Sequence, residues 1–222
     1  MIVSYNGFLI HSRKYQETSS IIYVLFPSKG IQSLIFKGKY NNKDKFKFSL
    51  FNEYLFTFND KYNFPYLSKF ENVSNLSFHK KYYLLGLYAN ELLYKTIKEG
   101  YDFERIYEFY KSFLAQLSNS TSSSSRLAML FEKNLLNNLG YGLHMGCDIN
   151  ILDNSFYTYD FNEGFKIVDK KTNKFIIRGT ALKEFYSNTL VNINDINLLR
   201  FIIKKILKQH YPDVDFLGDK LF

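Results

Sequence analysis

Hydrophobic and polar positions divide the chain into two regimes. Up to about residue 75, apolar residues come in short runs rich in Ile, Val, Phe and Tyr, at 2–11, 20–26, 30–36, 50–58 and 65–73. Runs of that length and composition, bounded by turn residues, predict β-strands. Pro27, Ser28, Lys29 and Gly30 mark one turn, with Gly30 free to take a positive φ, and Asn59, Asp60 and Lys61 mark another. Five short strands suit a small closed barrel of the OB type. An SH3-like barrel fits the strand count almost as well.

Beyond residue 78 the period becomes helical. Tyr83, Leu84, Leu87, Tyr88, Leu92 and Ile97 predict a helix buried along one stripe, ended by Gly100. Asp102 can cap a second helix that carries Ile106, Phe109, Phe113, Leu114 and Leu117 on one face. The serine-rich tract 118–125 reads as a flexible polar loop. A third helix is expected over about 125–139, stopped by Gly140. Short strands are expected over 156–177, a short helix after Thr180, and a last helix that starts after Asn194, or at Asp195, and runs to about His210. The expected class is therefore α+β. An N-terminal five-stranded OB-fold barrel over 1–77 precedes a mainly α-helical domain over 78–222, which holds a β-rich insertion at about 145–178.

Charge sharpens this picture. Residues 1–80 carry 11 Lys and Arg against 5 Asp and Glu, a net +6 of the formal +8 of all 222 residues. A basic N-terminal module implies a polyanionic partner. No basic amphipathic helix in that segment suggests a membrane surface. The richest tract follows the third strand: Lys37, Lys39, Lys43, Lys45 and Lys47, interleaved with Phe36, Tyr40, Phe46 and Phe48. Cations among flat rings suit single-stranded nucleic acid, because phosphates need positive charge and bases need faces to stack on. Lys37, Lys39, Lys43, Lys45 and Lys47, with Arg13 and Lys14 on the adjoining strand end, are the expected phosphate contacts. Tyr40 is the expected stacking residue, since it stands in a polar loop. Phe46 and Phe48 alternate with lysines as core-facing strand residues do. Solvated lysines on a surface loop are the plain alternative.

Nothing in the pattern points to catalysis. His11, His79, His144 and His210 are scattered, and neither a nucleophile elbow nor a glycine-rich phosphate loop occurs. No catalytic residue and no cofactor is expected. The single cysteine, Cys147, excludes an internal disulfide and suits a reducing compartment. His144 and Cys147 have metal-like spacing, but no second pair follows, so no metal site is expected. The N-terminal residues lack the features of a signal peptide, and no apolar run reaches the ~18 residues of a membrane span. The expectation is a cytoplasmic protein.

Four patches carry a resemblance. They are GFLIHSRKYQETS at 7–19, the strand from Gly30 to LIFKG at 34–38, GLYANELL at 86–93, and Phe131-Glu132 followed by LGYGL at 139–143. In order and spacing the chain resembles RecO, a family of bacterial recombination mediators. The resemblance implies an OB-fold followed by a helical domain. It implies binding of single- and double-stranded DNA and annealing of complementary strands. It also implies contacts with RecR and with the acidic C-terminal tail of single-strand-binding protein, so that RecA is loaded in recombinational repair by a nucleoid-associated protein.

Three departures qualify it. Many family members carry four zinc cysteines after the LGYGL patch, whereas Cys147 alone occupies such a place here, as in the zinc-free branch. Two arginines often precede the "FE" pair, where this chain has Met129 and Leu130, with Arg126 one turn earlier. A basic "LKSR" near the C-terminus corresponds to Phe216, Leu217, Gly218, Asp219 and Lys220. The acidic-tail contact is accordingly expected on Arg126, Lys133, Lys204, Lys205 and Lys208. The rival reading is an RNA-binding OB-fold protein of translation or RNA processing. That would explain the basic barrel but not the GLYANELL and LGYGL patches.

Overall fold

The structure, a computed structural model, describes residues 1–37, 49–98, 101–146, 150–169, 175–216 and 218. Five strands open the chain: β1 Ile2–Tyr15, β2 Ser19–Phe26, β3 Gly30–Lys37, β4 Glu53–Asn59 and β5 Leu67–Asn72. They form one antiparallel sheet in the order β3-β2-β1-β4-β5. A parallel bridge between Ile35 and Tyr66, with the Ile35 amide donating to the Pro65 carbonyl at 2.9 Å, joins β3 to the start of β5 and closes the sheet. Closure removes the free edges that an open sheet would expose. This strand order is that of the OB barrel. Its interior holds Leu9, Ile22, Val24, Phe26, Leu34, Tyr54, Phe56 and Phe58.

β2 is buried along nearly its whole length. A strand facing a core on one side only would alternate. The second cover comes from two helices, α1 Lys80–Thr96 and α2 Phe103–Asn119. Tyr107 and Tyr110 of α2 lie against Phe8, with ring centroids 5.1 and 5.3 Å apart. The first compact unit thus runs over Met1–Ser120, joined by the segment at Phe216 and Gly218. The change of pattern at 77/78 marks where strands give way to helices, while the compact units divide between Ser120 and Thr121. The physical reason is that α1 and α2 bury the outward apolar residues of β1 and β2.

An irregularity in β1 sets the surface of the sheet. The β1–β2 register runs Leu9↔Val24 and then His11↔Tyr23, so Ile10 is a bulge. Without the extra residue, His11 would share the inward face of Leu9, because strand side chains alternate. With it, His11, Arg13 and Tyr15 face outward. The Ile10 carbonyl accepts from Asn90 Nδ2 of α1 at 2.9 Å, and Asn90 Oδ1 accepts from the Tyr110 hydroxyl. Four residues earlier on α1, Gly86 leaves room for Phe51, whose ring would stand 2.8 Å from an added Cβ.

The second unit, Thr121–Asp215, contains α3 Ser124–Asn138, β6 Phe156–Asp160, β7 Gly164–Val168, β8 Ile177–Arg178, α4 Gly179–Tyr186 and α5 Ile193–His210. β6 stands between β7 and β8 in a small antiparallel sheet. Glu132 of α3 and Arg200 of α5 are both buried and meet through three hydrogen bonds of 2.7–3.1 Å. The α3 C-terminus closes in a Schellman turn. Gly140 takes φ +83°, its amide donates to the Asn137 carbonyl, and the Tyr141 amide donates to Leu136. The serine tract is more ordered than its composition predicts. α2 runs to Asn119, α3 begins at Ser124, and Ser123 caps it by accepting from the Arg126 amide. α5 begins earlier than predicted because Asn192, rather than Asn194, accepts from the amides of Asn194 and Asp195.

Candidate nucleic-acid interface

The barrel gathers cations and rings at one end of the sheet. Register places Tyr15 of β1 beside Ser19 of β2, and Ser19 beside Lys37 of β3. With strands about 4.8 Å apart, Tyr15 and Lys37 stand about 10 Å from one another on the same face. One row further in lie Arg13, Ile21 and Ile35, and the next holds His11, Tyr23 and Ser33. Arg13, Tyr15 and Lys37 are exposed. Lys14 is also exposed, but alternation sends it to the opposite face, in the row of Ser20 and Phe36.

The barrel closure brings the next piece. Tyr66, bridged to Ile35, lies under the Lys37 ammonium, 4.3 Å from ring centroid to Nζ. Tyr66 is 51% exposed, and the loop leading to it carries Tyr62 and Phe64, exposed by 62% and 45%. Burial would normally claim rings of this size. Here the chain NDKYNFPY holds three of them in a polar loop next to Lys61. The β1–β2 and β4–β5 loops are the two that flank the oligonucleotide-binding face of OB barrels. In this chain they converge on Lys37.

Of the expected phosphate contacts, Arg13 and Lys37 therefore share one surface, and Lys14 faces the other side of the strand. Lys39, Tyr40, Lys43, Lys45 and Lys47 lie outside the described residues, as do Phe46 and Phe48. They follow Lys37 directly in the chain. Sequence reasoning missed Tyr15, Tyr62, Phe64 and Tyr66. For Tyr62 and Phe64 the signal is the one applied to Tyr40, an aromatic ring in a polar turn, whereas Tyr66 falls inside the strand predicted at 65–73.

The expected cationic rim of the helical domain divides in two. Lys133 is 7% exposed, and its ammonium donates to the carbonyls of Phe185 and Tyr186 at 2.7 and 3.2 Å and to Asn188 Oδ1 at 2.8 Å. Burial lowers its pKa. Arg126 donates to the carbonyls of Leu190 and Asn188 and to Ser122 Oγ. Both side chains close the exit of α4, where carbonyls lack helical partners. They are structural ties rather than a free rim. Lys204 is partly buried, whereas Lys205 and Lys208 are exposed. Lys205 lies over Phe201 at 5.4 Å, and Phe201 stacks on Phe175 at 5.0 Å with an interplanar angle of 15°. Lys208 donates to the Val214 carbonyl.

A four-cysteine zinc site does not fit a chain with one cysteine. Cys147 lies outside the described residues, and among the described residues no three His, Cys, Asp or Glu side chains come together. No helix among them is long and apolar enough to cross a membrane.

Comparison with known proteins gives the chain a family. The recombination protein O N-terminal domain profile matches residues 1–76, and the recombination protein O C-terminal profile matches residues 81–208. The chain is 24% identical to the DNA repair protein RecO of Coxiella burnetii over 91% of its length and 90% of that protein. It is 27% identical to that of Pseudoalteromonas translucida over 77% and 76%, and 25% identical to that of Salmonella enteritidis over 95% and 81%. With both domain profiles matched in order, the chain belongs to the recombination protein O family, RecO, of DNA repair proteins.

Proposed function

We propose that the protein is a non-enzymatic recombination mediator. It binds single-stranded DNA along the barrel edge and anneals complementary strands. With RecR it helps RecA onto DNA covered by single-strand-binding protein. The observation that carries the reading is Lys37 held over the exposed ring of Tyr66. A cation beside a solvent-facing ring offers a phosphate and its base adjacent contacts. Double-stranded DNA meets the same cations through its phosphates alone. Family membership favours DNA over RNA as the polyanion.

The acidic tail of single-strand-binding protein needs an apolar footing rimmed by positive charge. Within the second unit, the Phe175–Phe201 stack with Lys205 supports that contact better than Arg126 and Lys133, whose polar atoms are engaged internally. An annealing assay on complementary strands coated with single-strand-binding protein tests the reading. Acceleration by the wild type that is lost in Lys37→Glu/Tyr66→Ala supports it. Annealing at the spontaneous rate with the wild type sinks it.

A further inference from the structure

Three rings meet on the outer wall of the barrel, away from the β4–β5 loop. His11 of β1 lies 5.7 Å from Tyr23 of β2 and 5.2 Å from Tyr94 of α1, and Tyr23 lies 4.8 Å from Tyr94. His11 is exposed and Tyr94 is 38% exposed. The next outward residue on β1 is Arg13, whose charge acts on both His11 and Tyr94.

Two features show that this grouping is built. The Ile10 bulge turns His11 from the inward to the outward face, and with it Arg13 and Tyr15. The bulge is fastened by Asn90, and Tyr94 stands one helical turn further along the same face of α1. One helix thus fixes the bulge and supplies a ring to the residue that the bulge exposes. Partial desolvation of the ring where it packs on its neighbours, and then the charge of Arg13, hold His11 below its ordinary pKa, which favours the neutral ring as a stacking face.

We infer that His11, Tyr23 and Tyr94, with Arg13, form a second subsite for single-stranded DNA, in which a base stacks on the exposed rings and its phosphate meets Arg13. The outward rows then make one alternating track: the three rings, Arg13, Tyr15, Lys37 and Tyr66. This inference rests on the reading of the barrel edge as the DNA-binding surface, which it extends onto α1.

Photocrosslinking of the full chain to a short iododeoxyuridine-substituted oligonucleotide, with mass-spectrometric mapping, reads the subsite directly. Attachment at Tyr94, Tyr23 or His11 is expected. Fluorescence anisotropy with an oligothymidylate should show about a tenfold loss of affinity for Tyr94→Leu, the effect of one lost stacked base. Leucine keeps apolar packing against β1, so an unchanged thermal midpoint separates the loss from unfolding. Tyr66→Ala is measured beside it. If Tyr66→Ala weakens binding and Tyr94→Leu binds like the wild type without crosslinks to the three rings, the subsite is refuted and the barrel edge stands. If neither substitution weakens binding and no barrel residue crosslinks, both readings fall.

Discussion

Asn90 Nδ2 donates to the carbonyl of Ile10 at 2.9 Å and so ties the first helix to the bulge in the first strand. The same side chain accepts from the Tyr110 hydroxyl. Both contacts are buried, and an unsatisfied buried polar group costs about 1–3 kcal/mol. Asn90→Leu orphans two such groups and should cost about 3 kcal/mol in urea denaturation, with DNA affinity falling as His11, Arg13 and Tyr15 lose their register. Asn90→Asp sets a buried carboxylate against the Ile10 carbonyl and should destabilise at least as much.

Glu132 and Arg200 form the corresponding buried link in the second unit. Removing one partner strands a charge, so Glu132→Ala or Arg200→Ala alone should destabilise by about 3–5 kcal/mol. Replacing both, as Glu132→Leu/Arg200→Met, should recover most of that loss. The comparison requires only equilibrium unfolding of the three variants.

These two links explain what was legible in the sequence. The patches that carry the family resemblance are fold determinants. Gly86 clears Phe51, Asn90 caps the bulge, Glu132 meets Arg200, and Gly140 forms the turn after α3. Their roles are local or demand one residue type, so their spacing survives as a readable signature. The strands were legible because apolar runs and turns are local too. The binding surface was less so. Cations could be counted, but which of them the fold consumes depends on pairings made across more than fifty residues, as with Lys133 and Phe185. The rings of the β4–β5 loop acquired meaning only when barrel closure set Tyr66 beside Lys37. The bulge at Ile10 leaves no mark in the sequence, yet it decides which side of the strand Arg13 faces.

The internal use of Lys133 gives a prediction that separates stability from partner binding. Lys133→Met should lower stability by about 2–3 kcal/mol, since it removes charged hydrogen bonds to three acceptors. It should leave calorimetric binding of an acidic tail peptide unchanged at temperatures where the variant is folded. Lys205→Glu should do the reverse, weakening the peptide and sparing the fold.

His11 makes stability depend on pH. Its folded pKa lies below the ordinary 6.5, so the unfolded chain binds a proton more readily than the folded one. The sign follows from linkage: this contribution is complete above pH 6.5 and is lost as pH falls through that value toward the depressed one. Thermal midpoints from pH 8 to 5 should therefore drop more steeply for the wild type than for His11→Gln. Parallel curves would show that His11 titrates alike in both states.

The most direct test is the salt dependence of single-stranded DNA binding by the full chain. With about four phosphate contacts, log K should fall with log salt at a slope of roughly −3, and each cation removed should reduce its magnitude by about 0.7. Arg13→Ala and Lys37→Ala should each show that step, while Tyr66→Ala should weaken binding with the slope unchanged. Affinity and slope that are the same in the wild type and all three variants would contradict the account.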